Sequence, residues 1–397
     1  MRDLIVGPGK SVFRILAQVR KELIQVRRRP GAFFSLVLGP FLIMAVFGLG
    51  YTGVERQLNT VIVVPPQLNL PRDVAYYQGL AGPAFDIVEV ADSADQAKAD
   101  LAAQKLDLIV IAPADAVQKI QAGQQATIEI DMNSVNPAAT SYAGFVAQVF
   151  NEKINEEIVK QAVAEGENLS NPANVPIPGA VVAAPTTVVV NNIAPSNPGV
   201  LGFAAPAVLA LMLQHMAVTL TALSFIRERM SGTLELFRVS PVNSFELVLG
   251  KYLGLGLVSA IVAAVSGLLL VTVLGVPLLG PPIWVAIVIG LLVFASLGIG
   301  LIISVISDSE RQAVQIALLL LLASVFFSGF VLPVDQFRDG VQYLAYALPV
   351  THGIRLLQDF MLRGSTTADW QITLLLALGL IFLLLNVVLL RRQMRNA

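Results

Sequence analysis

The chain has 397 residues, of which 55% are hydrophobic and only 13% charged, with a formal net charge of -1. Soluble domains carry charge on about a quarter of their residues, so this composition excludes an ordinary soluble protein and indicates a polytopic membrane protein. No cysteine is present, which excludes disulfides, thiolate chemistry and Cys-ligated metals.

The first 32 residues read as a basic segment with an amphipathic helix. Leu16, Val19, Leu23 and Val26 recur at helical spacing among Arg20, Lys21, Arg27, Arg28 and Arg29, the pattern of a helix lying on a membrane surface. Pro30-Gly31 supplies the bend. Residues 33–54 carry no charge, and a helix rising 1.5 Å per residue needs about 20 residues to cross the hydrocarbon. They are the expected first span, too long to be the core of a cleavable signal peptide.

From 55 to 198 the composition becomes that of a soluble domain. Strand-like runs at 61–64, 87–90, 108–111 and 128–131 alternate with helical stretches at 93–106 and 137–165, which predicts a small α/β domain. Residues 171–198, rich in proline and asparagine, lack helical periodicity and are expected to be an extended linker back to the membrane.

Residues 200–226 form the second expected span, and a charged island follows at 227–251. The next uncharged stretch, 252–307, is too long for one helix. Gly275-Val276-Pro277 and Gly280-Pro281-Pro282 divide it into spans at 252–274 and 283–306. Asp308, Glu310 and Arg311 mark an aqueous contact before a fifth span at 312–334. Within 335–370 the apolar run is too short and interrupted to cross, so it is expected to dip in and return. The sixth span, 371–390, is closed by Arg391, Arg392 and Arg395.

Six spans put both termini on one side. That side holds most of the Lys and Arg beside the spans, while most acids fall in the α/β domain. By the positive-inside rule both termini and the island are cytoplasmic, and 55–198 is extracytoplasmic.

Candidate chemistry is sparse. Gly9-Lys10-Ser11 matches the end of a phosphate-binding loop, but Leu4 stands where the motif needs glycine, and no strand precedes it. The chain is therefore expected to carry no ATPase site and no catalytic residues. His215 and His352 lack a second ligand at metal spacing. Gln214 and His215 sit in mid-span, where polar groups are costly unless they face other helices or a cavity. They are candidates for an interhelical polar contact or a substrate path. Small residues at Gly250, Gly254 and Gly256, and at Gly290, Ser296, Gly298 and Gly300, allow close helix approach, within one subunit or between two.

The string Glu228, Gly232-Thr233-Leu234-Glu235, Pro241 and Glu246 with Leu249-Gly250-Lys251 resembles the cytoplasmic loop of permease subunits of type-2 ABC exporters. The likeness covers nearly the whole chain, including Leu332-Pro333 and Leu348-Pro349, and the large insert is similar to the bacterial branch with an extracytoplasmic domain between the first two spans. The resemblance implies an α-helical polytopic fold: six transmembrane helices, an N-terminal elbow helix, re-entrant helices before the last span and an inserted α/β domain. It implies a coupling helix whose contact residues are Glu228, Gly232, Thr233, Leu234, Glu235, Phe237 and Arg238. Implied partners are a separate nucleotide-binding ATPase subunit, which uses the ATP and Mg, and a second permease subunit, identical or paralogous. The chain itself is expected to bind no cofactor and no nucleic acid.

The expected function is export of a hydrophobic or amphipathic substrate, lipid or drug-like, across a bacterial inner membrane, with membrane lipids as surroundings and a periplasmic adaptor as a further candidate partner. The alternative is a non-transporting scaffold whose extracytoplasmic domain binds a protein.

Overall fold

The computed structural model describes residues 14, 16–21 and 24 of the N-terminal segment, 57–164 apart from 69 and 83, 178–233, 236–237, and 242–395 apart from 338. The expected first span lies outside the described residues, as do Leu234, Glu235, Arg238 and Pro241 of the charged island. The chain divides into two compact units, Thr52–Val200, and Leu201–Ala397 with the N-terminal segment.

The unit inserted in sequence carries strands β1 (Leu58–Val63), β2 (Phe85–Ala91), β3 (Leu108–Ile111), β4 (Ala126–Met132) and β5 (Thr186–Asn192). Its helices are α1 (Val74–Ala81), α2 (Ala94–Ala102), α3 (Ala116–Gln121), α4 (Pro137–Ala164) and α5 (Gly179–Ala183). The sheet order is β2-β1-β3-β4-β5. β1 runs parallel to β2 and β3, β3 antiparallel to β4, and β4 parallel to β5.

Alternation along β1 divides the core. Leu58, Ile62 and Val64 pack with Tyr77 and Ala81 of α1 and Phe150 of α4, while Val61 and Val63 face Ala97 and Leu101 of α2. Successive strand residues point to opposite faces, so a central strand must be apolar throughout to serve two helical layers. Asp73 and Ser93 cap α1 and α2, each accepting from the amide two residues on.

The four expected strands are present, but the expected linker requires correction. It contains β5, whose Thr186-Thr187-Val188-Val189-Val190 is a β-branched run that suits a pleated surface. The prolines nearest to it, Pro185 and Pro195, lie outside the strand, so they bound the ladder and do not interrupt it. Asn151 and Asn155 of α4 secure its start. Thr186 N donates to Asn155 Oδ1 at 2.8 Å, and Asn155 Nδ2 donates back to Thr186 O at 3.2 Å.

The other unit contains α6 (Val200–Ala222), α7 (Ser224–Met230), α8 (Ser244–Thr272), α9 (Pro282–Ile306), α10 (Glu310–Phe327), α11 (Asp339–Tyr346), α12 (Pro349–Gln358) and α13 (Trp370–Arg395). Among the described residues five helices are long and apolar enough to cross a membrane, the first being α6 with α7 taken together over Val200–Met230. The short α11 and α12 fall where the sequence shows an interrupted apolar run.

Two glycines permit backbone contacts that hold this unit together. A Cβ on Gly300 of α9 would lie 2.4 Å from the Val218 carbonyl of α6, so only glycine lets the two backbones cross there. A Cβ on Gly280 would meet the Phe360 carbonyl at 2.6 Å. That proximity lets the turn between α8 and α9 pair with the π-helical turn after α12, Leu279 N and Gly280 N donating to the carbonyls of Met361 and Phe360.

Candidate functional site

The charged island is built around a buried ionic cluster. At Leu223 the helix turns out of α6 into α7, and the first amides of α7 find a partner on α9: Phe225 N and Ile226 N donate to Ser304 Oγ at 3.0 and 3.3 Å. One turn later comes Glu228, only 2% exposed. Its Oε1 meets Lys251 Nζ at 2.9 Å, pairs with Lys21 Nζ and accepts from Gln18 Nε2 at 3.3 Å. Lys251 is fully buried; its ammonium also donates to Ser224 Oγ and lies 4.4 Å from the centre of the Phe225 ring. Two cations thus share one carboxylate. The other oxygen, Oε2, has no hydrogen-bond partner among the described residues.

The cluster joins three parts of the chain. Residues 16–21 are helical, and Arg14, Gln18 and Lys21 recur at turn spacing toward α7 and α8. Arg14 reaches Glu246 at 3.7 Å. Arg14, Gln18 and Lys21 therefore face the protein, while Leu16 and Ile24 are exposed together with Arg20.

Glu246 also completes the start of α8. Its backbone amide donates to Asn243 Oδ1 at 3.0 Å while its carboxylate accepts from Asn243 N at 3.2 Å, a reciprocal capping box. On the other side Arg227 pairs with Glu310 at 3.2 Å, and Arg229 donates to the Ser307 carbonyl at the end of α9.

The structure distributes the expected contact residues differently. Glu228 is inside the cluster, so its carboxylate supports the island from beneath. Gly232 is exposed with a φ of 71°, Thr233 is helical with its hydroxyl 2.8 Å from Ser231 Oγ, and the Phe237 ring lies 5.2 Å from Lys21 Nζ. Met230 and Leu236 flank them at 70% and 65% exposure. Leu234, Glu235 and Arg238 lie outside the described residues.

Gln214 and His215 belong elsewhere, about 21 Å back along the helix from Glu228 at 1.5 Å per residue. Gln214 is buried and bonds to α10 and α12. His215 is half-buried, and its Nδ1 has no hydrogen-bond partner among the described residues. His352 is buried against Tyr346 and Trp370, with Nε2 2.8 Å from the Tyr346 carbonyl. Among the described residues no group of three His, Cys, Asp or Glu could hold a metal.

Sequence reading missed Lys21, Gln18, Lys251 and Ser304 as site residues. The one usable signal was Lys251 itself, a lone cation inside an otherwise apolar helix.

A family model described as "ABC-2 family transporter protein" matches residues 31–388. The chain belongs to that family. It is 24% identical over 385 residues, 96% of both chains, to the "Probable multidrug ABC transporter permease YbhS" of Escherichia coli K12. It is 28% identical over 278 residues, 69% of both chains, to the "Inner membrane transport permease YhhJ" of the same strain. A third relative, "Probable multidrug ABC transporter permease YbhR", is 23% identical over 354 residues, 89% of this chain and 91% of the relative. As an ABC-2 protein with apolar spanning helices the chain is an integral membrane protein and a permease subunit of an ABC transporter. Its family implies an ATPase partner and a paired permease.

Proposed function

We propose that this ABC-2 permease is the membrane half of an ATP-driven exporter and that residues 227–251 are where a separate ATPase subunit couples to it. The observation that carries the reading is the mounting of the island. An exposed surface of Met230, Ser231, Gly232 and Leu236 sits on a buried charge cluster tied to the N-terminal helix, α7 and α8. A lever works only if it is held at its base, and three elements hold this one.

In this reading Gly232, Thr233, Leu234, Glu235, Phe237 and Arg238 contact the ATPase, and Glu228 holds the lever. ATP and Mg belong to the partner, and the permease chain binds no cofactor. The N-terminal helix is the elbow, its Leu16 and Ile24 set in lipid. Residues 33–54 complete six spans, with both termini cytoplasmic, 55–198 extracytoplasmic and the bacterial inner membrane as location. The substrate is a hydrophobic or amphipathic molecule; the multidrug names of two relatives favour this class. A second permease subunit closes the path.

Co-purification tests the reading. Met230→Asp and Glu235→Arg are expected to lose the ATPase subunit from the purified complex and to abolish efflux of an amphiphilic dye. If both variants keep the ATPase and the efflux, the coupling assignment is wrong and the scaffold reading gains.

A further inference from the structure

α12 opens on Leu348-Pro349 without a capping side chain of its own. Proline brings no N–H, so the first donor the helix leaves open is the Val350 amide. Gln214, in mid-α6 and 1% exposed, supplies the acceptor: its Oε1 takes the Val350 N–H at 3.1 Å. A backbone N–H can only donate, so the oxygen of Gln214 must face α12 and its amide nitrogen must face away. Nε2 accordingly donates to Ser324 Oγ of α10 at 2.7 Å.

The other end of α12 is tied to the same helix. Gln358 Nε2 donates to the Phe203 carbonyl at 3.1 Å. The pairs 214–350 and 203–358 run in opposite directions, so α12 lies antiparallel along α6. Between the two ties Ala207 and Leu211 of α6 and Val350, Ile354 and Leu357 of α12 belong to one apolar cluster, which also takes in Val288 and Leu292 of α9 and Leu375 of α13. Ala207, Leu211 and Gln214 recur at helical spacing, one stripe of α6.

We propose that α6 and α12 move as one body joined by the Gln214 cap, so that displacement of the island end of α6 is carried to the segment before the last span. Gln214 is a positioning residue, its oxygen holding α12 and its amide hydrogens holding α10. Apolar contact alone would not fix the register, because hydrophobic burial is non-directional. An amide hydrogen bond has one geometry, and a buried N–H in a membrane has no water as an alternative partner. What displaces α6 rests on the coupling reading above; the joint does not.

The test is amide hydrogen exchange of the full-length permease in phospholipid nanodiscs, read over residues 349–358. Gln214→Met, similar in size but without the acceptor, is expected to speed exchange at the start of α12 by about tenfold or more, as loss of a buried hydrogen bond implies. Ser324→Ala removes only the bond to α10 and leaves α12 as protected as in the wild type. Unchanged exchange in Gln214→Met, or equal acceleration in Ser324→Ala, overturns the proposal. Should Gln214→Met not fold, Gln358→Leu releases the other tie; it is expected to open the last turn of α12 and spare Val350, and uniform acceleration overturns the proposal.

A functional arm separates positioning from general stability. In the complex with its ATPase, Gln214→Met is expected to keep ATP hydrolysis and lose ethidium efflux; loss of both or of neither overturns the positioning role. Absence of ethidium efflux in the wild type would count against the exporter reading, and the exchange result alone then decides the joint.

Discussion

At the scale of single residues, Glu228 and Lys251 carry the largest energies in the site. Burying an ion pair brings little net stability, but removing one partner leaves the other charge stranded, at about 3–5 kcal/mol. Glu228→Gln is therefore expected to lower the thermal midpoint of the purified permease strongly, because it strands the fully buried Lys251 and removes the counter-charge of Lys21. Lys21→Ala should have a much smaller effect, on the order of 1 kcal/mol or less, since that side chain is 27% exposed and screened. The double change Glu228→Gln with Lys251→Met is expected to recover part of the loss. Equal melting of Glu228→Gln and wild type would show that the pair is not buried as described.

At the scale of elements, helix starts and crossings were legible to different degrees. The start of α8 carries a local signal, Asn243 and Glu246 at capping-box spacing with the box present, although the span was expected to begin only at 252. Asn243→Ala is expected to destabilise by about 1 kcal/mol and also to loosen Glu246, which holds Arg14 at 3.7 Å. Chemical denaturation followed by helical circular dichroism would register it. The crossing of α6 and α9 was legible only as a preference for small residues. Gly300 has the Val218 carbonyl where a Cβ would stand, whereas Gly290 has nothing within 4 Å, and both look alike in sequence. β5 was missed because nearby prolines and asparagines outweighed its valines in a local reading, while its stability comes from pairing with β4 and from Asn151 and Asn155 of α4.

At the scale of the whole molecule, sidedness is open to a direct check, and the absence of native cysteine makes it clean. A cysteine introduced for the exposed Ser231 is expected to react with a membrane-impermeant maleimide only from the cytoplasmic side. One introduced for Asp95 on α2 should react only from the outside. Labelling of both from one side would refute the six-span topology. By itself the sequence determined the five described helices that are long and apolar enough to cross a membrane and the presence of a separate α/β domain, because apolar run length and strand alternation depend on length, composition and period within a short window. Only the tertiary structure decided what stands at the centre of the charged island. Lys21 and Glu228 are 207 residues apart, and neither carries a local sign that it is buried. Which side chain neutralises which, and that Gln214 caps a helix far along the chain, follows from packing that brings distant segments together, for which a single sequence has no local signal.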